Sequence, residues 1–548
     1  MPRPKPPSAS RKTPPNANVV AQVQTLFQQA ISLHSAGNIS QAKSIYEQVL
    51  MLAPGYAAAY SNLGLALVEL GRYEDALARY ARAIALQPDY VQAYYNQGIA
   101  QHALQQYPAA LASYAQAIAL QSDHFKAYCN RGVSLHALGQ FQEAIASFDK
   151  SIEIQSHYAP AYYNRGLALK ELDALPEALA SFDRAIVCQP AYAQAYCNRG
   201  MALYALGQME DALASYDQAI ALDPQHARAY WNKSLALLSQ GDYQNGWPLY
   251  EWGWAAGQRG AAPPYAQPLW LGRESLQGKT LLLSTEQGLG DSIQFARFTS
   301  RVKALGARVL LHAPAALTRL FQTLADVDGI IPKGDALPEF DFYCPLLSLP
   351  LALGLQVPSL AAPEQYLAST EARRQQWAAL LGPQTGLRVG LVCRGAAGYH
   401  ADRQRSLGLE TLLAYLPPGP AYICLQKELR TDEAALCASR HIGFFGDQLH
   451  DFADTAALCD CMDLIISVDT SVAHLAAALG KPTWIMLPYR SDWRWMQNRT
   501  DTPWYPTATL YRQNAPSAWA GVLERVARDM APMLGQNRLF ATATGHGQ

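Results

Sequence analysis

AYCNRGVSLHALGQFQEAIASFDKSIEIQSHYAP, residues 127–160, is one copy of a unit that recurs through the first half of the chain. Its Tyr128 has counterparts at 34-residue spacing in Tyr60, Tyr94, Tyr162, Tyr196 and Tyr230. Asn130 recurs as Asn62, Asn96, Asn164, Asn198 and Asn232. Gly132 recurs as Gly64, Gly98, Gly166 and Gly200, and Ser234 breaks the series. Ala144 is matched by Ala76, Ala110, Ala178 and Ala212, and Phe148 by Tyr80, Tyr114, Phe182 and Tyr216. Pro54, Pro88, Pro190 and Pro224 close several units. A register held through six units implies an α-solenoid. Each unit is two antiparallel helices, with the small column letting them approach and the aromatic filling the space opposite. No unit buries its apolar face alone, so stacking stabilises the array. Gly37, Gly71, Gly139, Gly207 and Gly241 fall between the paired helices, where a positive φ is useful.

The pattern resembles the tetratricopeptide (TPR) repeat over residues 23–226, with an altered seventh unit to 258. Such a superhelix is a surface for holding another macromolecule, here a polypeptide or carrier protein. The Asn column has two readings. It can cap or space neighbouring helices, or it can form an amide ladder that pairs with a peptide backbone, since each amide donates and accepts. The second resembles the ladder of the O-GlcNAc transferases. Arg131, Arg165 and Arg199 lie one residue on. They form either a stripe favouring acidic partners or a solvated face.

Wider composition sets bounds. The chain has 548 residues, 50% hydrophobic and 16% charged, with a formal net charge of −1. This is ordinary for a globular protein and gives no sign of nucleic-acid binding. Residues 1–22 read as a basic, Pro-rich disordered arm, and 536–548 as a disordered tail. No apolar run is long enough to span a membrane. The nine cysteines follow no disulfide framework, which fits reduced thiols and a cytoplasmic location.

The altered unit contains GDYQNGWPLYEWGW, residues 241–254, whose tryptophans read as a cap docking onto the next domain. Residues 259–278 read as a Gly/Pro-rich linker. From Lys279 strands alternate with helices. The first unit, 279–370, starts with KTLLLST (279–285) and ARVLLHA, then DFYCPLLSLPLALGL with a further strand. The second, 386–535, contains LRVGLVC (387–393), AYICLQ (421–426), DLIISVD (463–469) and KPTWIML (481–487). Two successive doubly wound units have the layout of a GT-B glycosyltransferase, with two Rossmann-like subdomains and ligands at the carboxyl ends of the strands.

Three stretches carry candidate chemistry. In EQGLGDSIQFARF (286–298), Gly288 and Gly290 permit a tight strand-to-helix turn that sets Asp291 at a helix start. Asp291 is there either as a cap or as a group facing the cleft. In SVDTSVAHLAAALGKP (467–482), Asp469 ends a strand and Thr470 and Ser471 open a helix. Free N–H groups and the helix dipole there suit a diphosphate, and His474 lies one turn on. In CRGAAGYHADRQRSLGLETL (393–412), Arg394, Arg403 and Arg405 offer guanidinium forks to phosphates, and Gln426 and Lys427 end the next strand.

EQGLGDSIQF, Arg405–Ser406, LQK and VDTSVAHLAAALGKP together resemble the heptosyltransferase-type glycosyltransferases, family nine, over roughly 270–530. The resemblance is greatest to bacterial proteins that join TPR units to such a domain. It implies an inverting, metal-independent transfer from a nucleotide sugar, with Asp291 as general base. It also implies Asp469, Thr470, Ser471 and His474 on the donor, and Arg405 on its phosphates. The second half is short for a two-lobed transferase, which would leave acceptor binding to the TPR groove. Two other classes fit less well. One is a TPR scaffold with an inactive transferase-like domain; the other is a nucleotide-sugar epimerase or hydrolase. DWRWM (492–496) and PWYP (503–506) read mainly as packing aromatics.

Overall fold

The computed structural model describes residues 17–357, 365–395 and 405–543. The chain divides into two compact units, the first ending at Pro224 and the second beginning at Gln225. The boundary therefore falls one helical pair earlier than residue 258.

In the first unit α1 to α12 occupy Ala17–Ser35, Ile39–Leu52, Ala57–Glu69, Tyr73–Leu86, Val91–Ala103, Tyr107–Leu120, Phe125–Ala137, Phe141–Ile154, Ala159–Glu171, Leu175–Cys188, Ala193–Ala205 and Met209–Leu222. The arm expected over 1–22 is helical from Ala17; the rest of it lies outside the described residues. The small and aromatic columns meet as their sizes require. A Cβ on Gly64, Gly98, Gly132, Gly166 or Gly200 would lie 2.5–2.6 Å from the ring of Tyr80, Tyr114, Phe148, Phe182 or Tyr216 respectively. Between paired helices Gly37, Gly71, Gly139 and Gly207 have φ of 72–78°. Gln105 and Asp173 hold the same position at φ 59°, without glycine's freedom. A further column, Tyr95, Cys129, Tyr163 and Cys197, alternates along the array.

The second unit begins with α13 (Ala227–Gln240) and α14 (Tyr243–Tyr250). Next come β1 (Thr280–Ser284), α15 (Leu289–Phe295), α16 (Thr299–Ala304), β2 (Arg308–Ala313), α17 (Ala315–Phe321), β3 (Gly329–Pro332), β4 (Phe342–Pro345) and α18 (Leu349–Ala352). After α19 (Glu371–Leu381) come β5 (Arg388–Val392), α20 (Leu409–Leu413), β6 (Ala421–Cys424), α21 (Thr431–Ser439), β7 (Gly443–Phe444) and α22 (Phe452–Asp460). The chain ends with β8 (Leu464–Val468), α23 (Ser471–Ala478), β9 (Thr483–Leu487), β10 (Ala508–Arg512) and α24 (Trp519–Ala543). The tail expected from 536 is thus helical through Ala543.

Among the described residues, the strands form two sheets whose neighbours all pair in parallel. Their orders are β3-β2-β1-β4 and β10-β9-β8-β5-β6-β7. The order reverses direction between β1 and β4 and between β5 and β8, so the loops after those strands diverge and open a crevice. Strands β3, β7 and β10 are additional to those read from the sequence.

The tryptophans after α13 join that helical pair to the α/β layers. Trp247 meets Trp493 edge-on at 5.4 Å and Phe295 at 6.3 Å, whereas Trp252 stacks back on Tyr230 of α13 at 4.1 Å. The segment 259–278 is no free linker, because Arg259, Trp270 and Leu276 are buried. Arg259 bonds Glu251, Glu286 and Ser348 at 2.7, 2.5 and 2.9 Å, and Trp270 donates its indole N–H to the Glu274 carbonyl at 2.9 Å. The rings of DWRWM and PWYP are packing groups as expected: Trp493, Trp495, Trp504 and Tyr505 are all buried.

Candidate active site

Asp291 is the third residue of α15. Its Oδ2 accepts from the backbone N–H of Gly288 at 2.8 Å, closing the turn that follows β1. Its Oδ1 accepts from Arg494 Nη2 at 2.5 Å. Burial raises the Asp291 carboxyl above its ordinary range, opposed by Arg494 and the Gly288 N–H.

The turn after β8 reaches the same place. Asp469 follows the strand, Thr470 is the N-cap of α23, and Ser471 is its first helical residue. The Thr470 hydroxyl pairs with Ser467 Oγ at 3.1 Å, so it does not cap the helix. His474 is buried, its Nδ1 2.9 Å from the Tyr505 hydroxyl and its ring stacked 5.2 Å from Trp495. Burial, with the charges of Arg494, Arg297 and Arg405, pushes the His474 pKa well below its ordinary value, so the ring is neutral. Asp469 Oδ1 lies 3.8 Å from His474 Nε2. Burial and Asp492 raise the Asp469 pKa to about 6, while Arg405 and Arg494 pull it down. Arg405 therefore belongs to the electrostatic field of this site.

Gly290 joins the two turns. A Cβ there would lie 2.9 Å from His474 Cδ2 and 3.3 Å from Ser471 Cα. Its small size serves the close packing of α15 on α23. Gly288 is the N-cap of α15. The structure thus brings Asp291, Asp469, Thr470, Ser471 and His474 together, with Arg405 in their field.

Other expected residues are held elsewhere. Arg394 pairs with buried Glu433 at 2.6 Å and donates to the Glu428 carbonyl at 3.3 Å, so its charge is already balanced. Gln426 Oε1 accepts from the Cys393 N–H and thiol, both at 3.0 Å, which ties the ends of β5 and β6 together. Lys427 is exposed, and Arg403 lies outside the described residues.

Sequence reading missed Arg494, whose partners on α15 are 200 and 203 residues away. It also missed Arg297, buried and stacked 4.4 Å over Tyr505. The signal available was an arginine set between two tryptophans in DWRWM, which is unusual for a surface loop.

On the solenoid, the Asn ladder is partly committed to its own scaffold. Asn130 Nδ2 donates to the Tyr95 hydroxyl at 3.1 Å and Asn198 Nδ2 to that of Tyr163 at 3.2 Å. Asn96 is buried and accepts from Gln92 at 3.0 Å; half-buried Asn62 and Asn164 bond Tyr46 and Cys129. The basic stripe is engaged by the scaffold: Arg165 and Arg199 clasp the preceding repeat, and Arg131 bonds within its own. Arg165 donates to Asp149 at 2.6 Å and Ser181 at 2.7 Å; Arg199 donates to Asp183 at 2.7 Å and Ser215 at 2.6 Å. Arg131 donates to Ser147 at 3.1 Å and lies over the Tyr128 ring.

Comparison with known proteins adds a class to this geometry. Residues 64–105 and 100–139 match a TPR repeat profile, and 125–158 and 193–226 match the tetratricopeptide repeat profile. Residues 449–492 match glycosyltransferase family 9 (heptosyltransferase), a stretch that contains Asp469, Thr470, Ser471 and His474. The chain thus matches tetratricopeptide repeat profiles in its first half and a glycosyltransferase family 9 profile over one stretch of its second. It is 30% identical over 304 residues to Protein FlbA of Caulobacter vibrioides (strain ATCC 19089 / CIP 103742 / CB 15), covering 48% of each chain. It thus spans about half the length of the curated relative it matches. Among solved structures it is similar to YrrB, described as a TPR protein with an unusual peptide-binding site, at 25% identity and TM-score 0.30. That match covers 35% of this chain and 98% of YrrB. It is also similar to MamA, at 25% identity and TM-score 0.28, covering 29% of this chain and 94% of MamA. Among the described residues no helix is long and apolar enough to cross a membrane.

Proposed function

We propose that the second unit is a GT-B glycosyltransferase with two Rossmann-like lobes, acting in the cytoplasm on a nucleotide-sugar donor. The observation that carries this reading is the meeting of the β1 turn and the β8 turn, with Gly290 packed on His474. Asp291 takes the proton of an acceptor hydroxyl while the oxygen attacks the anomeric carbon. The bond from that carbon to the diphosphate oxygen breaks with inversion, and the nucleoside diphosphate leaves. Arg405 and the α23 N-terminus meet the developing charge, so no metal is required. Neutral His474 orients the donor rather than adding charge. The solenoid holds a polypeptide or carrier-protein acceptor through its half-buried Asn column.

The test is a panel of UDP-, GDP-, ADP- and CDP-linked sugars, read by calorimetry and by release of nucleoside diphosphate. One donor should bind, and Asp291→Asn should slow its turnover by about 10²–10⁴. Binding of none of them sinks the reading. Asn130→Ala and Asn164→Ala should slow transfer and spare donor hydrolysis.

The engagement of Arg394 by Glu433 favours a second reading, a TPR scaffold whose transferase-like unit is inactive. Donor binding without turnover in the native chain is the outcome it requires.

A further inference from the structure

Arg494 has all three of its guanidinium nitrogens occupied. Nη2 donates to Asp291 Oδ1 at 2.5 Å, Nε to Gln294 Oε1 at 2.9 Å and Nη1 to Asp492 Oδ1 at 2.8 Å. Its plane lies 4.5 Å over the ring of Trp493, and its side chain is 8% exposed. Asp291 and Gln294 are one turn apart on α15, so they share a face. Arg494 comes from the segment after β9, in the other sheet. One arginine therefore grips two points on the helix that follows β1.

We propose that Arg494 is a positioning residue for Asp291, clamping α15 through Asp291 and Gln294 so that the carboxylate is held in one direction and in its ionised form. The inference rests on the reading of Asp291 as the base. A carboxylate oxygen has two lone-pair sites, so Asp291 can still accept a proton with each oxygen engaged once. Arg494 is the cation in direct contact with it. Asp492 beside Arg494 and Tyr250 from α14 also bear on it, and Arg297 and Arg405 act on the adjacent His474. Loss of Arg494 leaves the carboxylate buried beside Asp492 without the guanidinium that opposes both effects. A lysine supplies the charge and not the fork, which separates ionisation from aim.

The experiment uses the full chain with Arg494→Gln, Arg494→Lys, Asp492→Asn and Asp291→Asn. With the donor of the panel that turns over, the acid limb of the pH–rate profile should rise by about 1–2 pH units in Arg494→Gln. It should stay near that of the native enzyme in Arg494→Lys, while kcat falls about tenfold or more from lost aim. Asp492→Asn removes an anion and should move the limb down, a test that holds if Arg494→Gln does not fold. An unmoved limb in both overturns the proposal. If Asp291→Asn keeps its activity, the base reading fails instead. The clamp is also read without any donor. Thermal stability of Arg494→Gln should fall more steeply than that of the native chain as pH rises from 4 to 7, and the Asp291→Asn/Arg494→Gln double variant should lack the added steepness. Identical slopes in the two overturn the proposal.

Discussion

A Cβ on Gly290 would sit 2.9 Å from the His474 imidazole, so helices from the two sheets touch where no side chain intervenes. Gly290→Ala pushes α15 off α23. It should cost about 1–3 kcal/mol in stability, the usual range for overpacking, and weaken nucleotide binding. Thermal unfolding and calorimetry with UDP and GDP check this. Full stability and unchanged binding would mean that the helices yield freely.

Asp469 sets a pH dependence. Its folded pKa of about 6 is raised by burial above that of an exposed carboxyl. The folded state then holds the proton more tightly than the unfolded one, so stability falls as pH rises from about 4 to about 6 and is level above that. Asp469→Asn lacks this term. Relative to the native chain it should gain up to about 3 kcal/mol between pH 4 and 7. A constant difference across that range contradicts it.

Gln105 and Asp173 sit at φ 59°, where their counterparts are glycines. Gln105→Gly and Asp173→Gly should each stabilise the solenoid by about 0.5–1 kcal/mol, with the larger gain at Gln105 because Asp tolerates this conformation better. Gly139→Ala should cost a similar amount. Urea unfolding of the single variants is the measurement.

The clasp of Arg199 on Asp183 and Ser215 divides unequally. The Asp183 pair is partly exposed and should contribute about 0.2–1 kcal/mol in a double-mutant cycle, decreasing with salt. The bond to buried Ser215 should contribute about 1 kcal/mol and be insensitive to salt.

The legible parts of this protein are those whose partners are close in sequence or repeat. The Gly–aromatic columns report their own spacing, the turn after β1 carries Gly and Asp, and the turn after β8 carries Asp and Thr. Arg494 and Arg297 were not legible because Asp291 and Trp504, the partners that place them, lie about 200 residues away, and no local pattern encodes that distance. Arg394 and Arg405 look alike in sequence, yet only the fold brings Glu433 to the first. The short strands β3 and β7 have too few residues to show a period. The linker looked free because its Gly/Pro content hides the anchors Arg259 and Trp270.

The alternation of Tyr95, Cys129, Tyr163 and Cys197 has a consequence for how this array lengthens. The bonds Asn130 to Tyr95 and Asn198 to Tyr163, and the non-glycine turns Gln105 and Asp173, share that rhythm. The heritable module is therefore a pair, 68 residues from Tyr95 to Tyr163. Losing or duplicating one pair leaves only junctions the array already contains. Losing only the copy of Cys129 or only that of Tyr163 sets tyrosine against tyrosine or cysteine against cysteine, a junction with no precedent in the chain, so length changes within this stretch should come in steps of two.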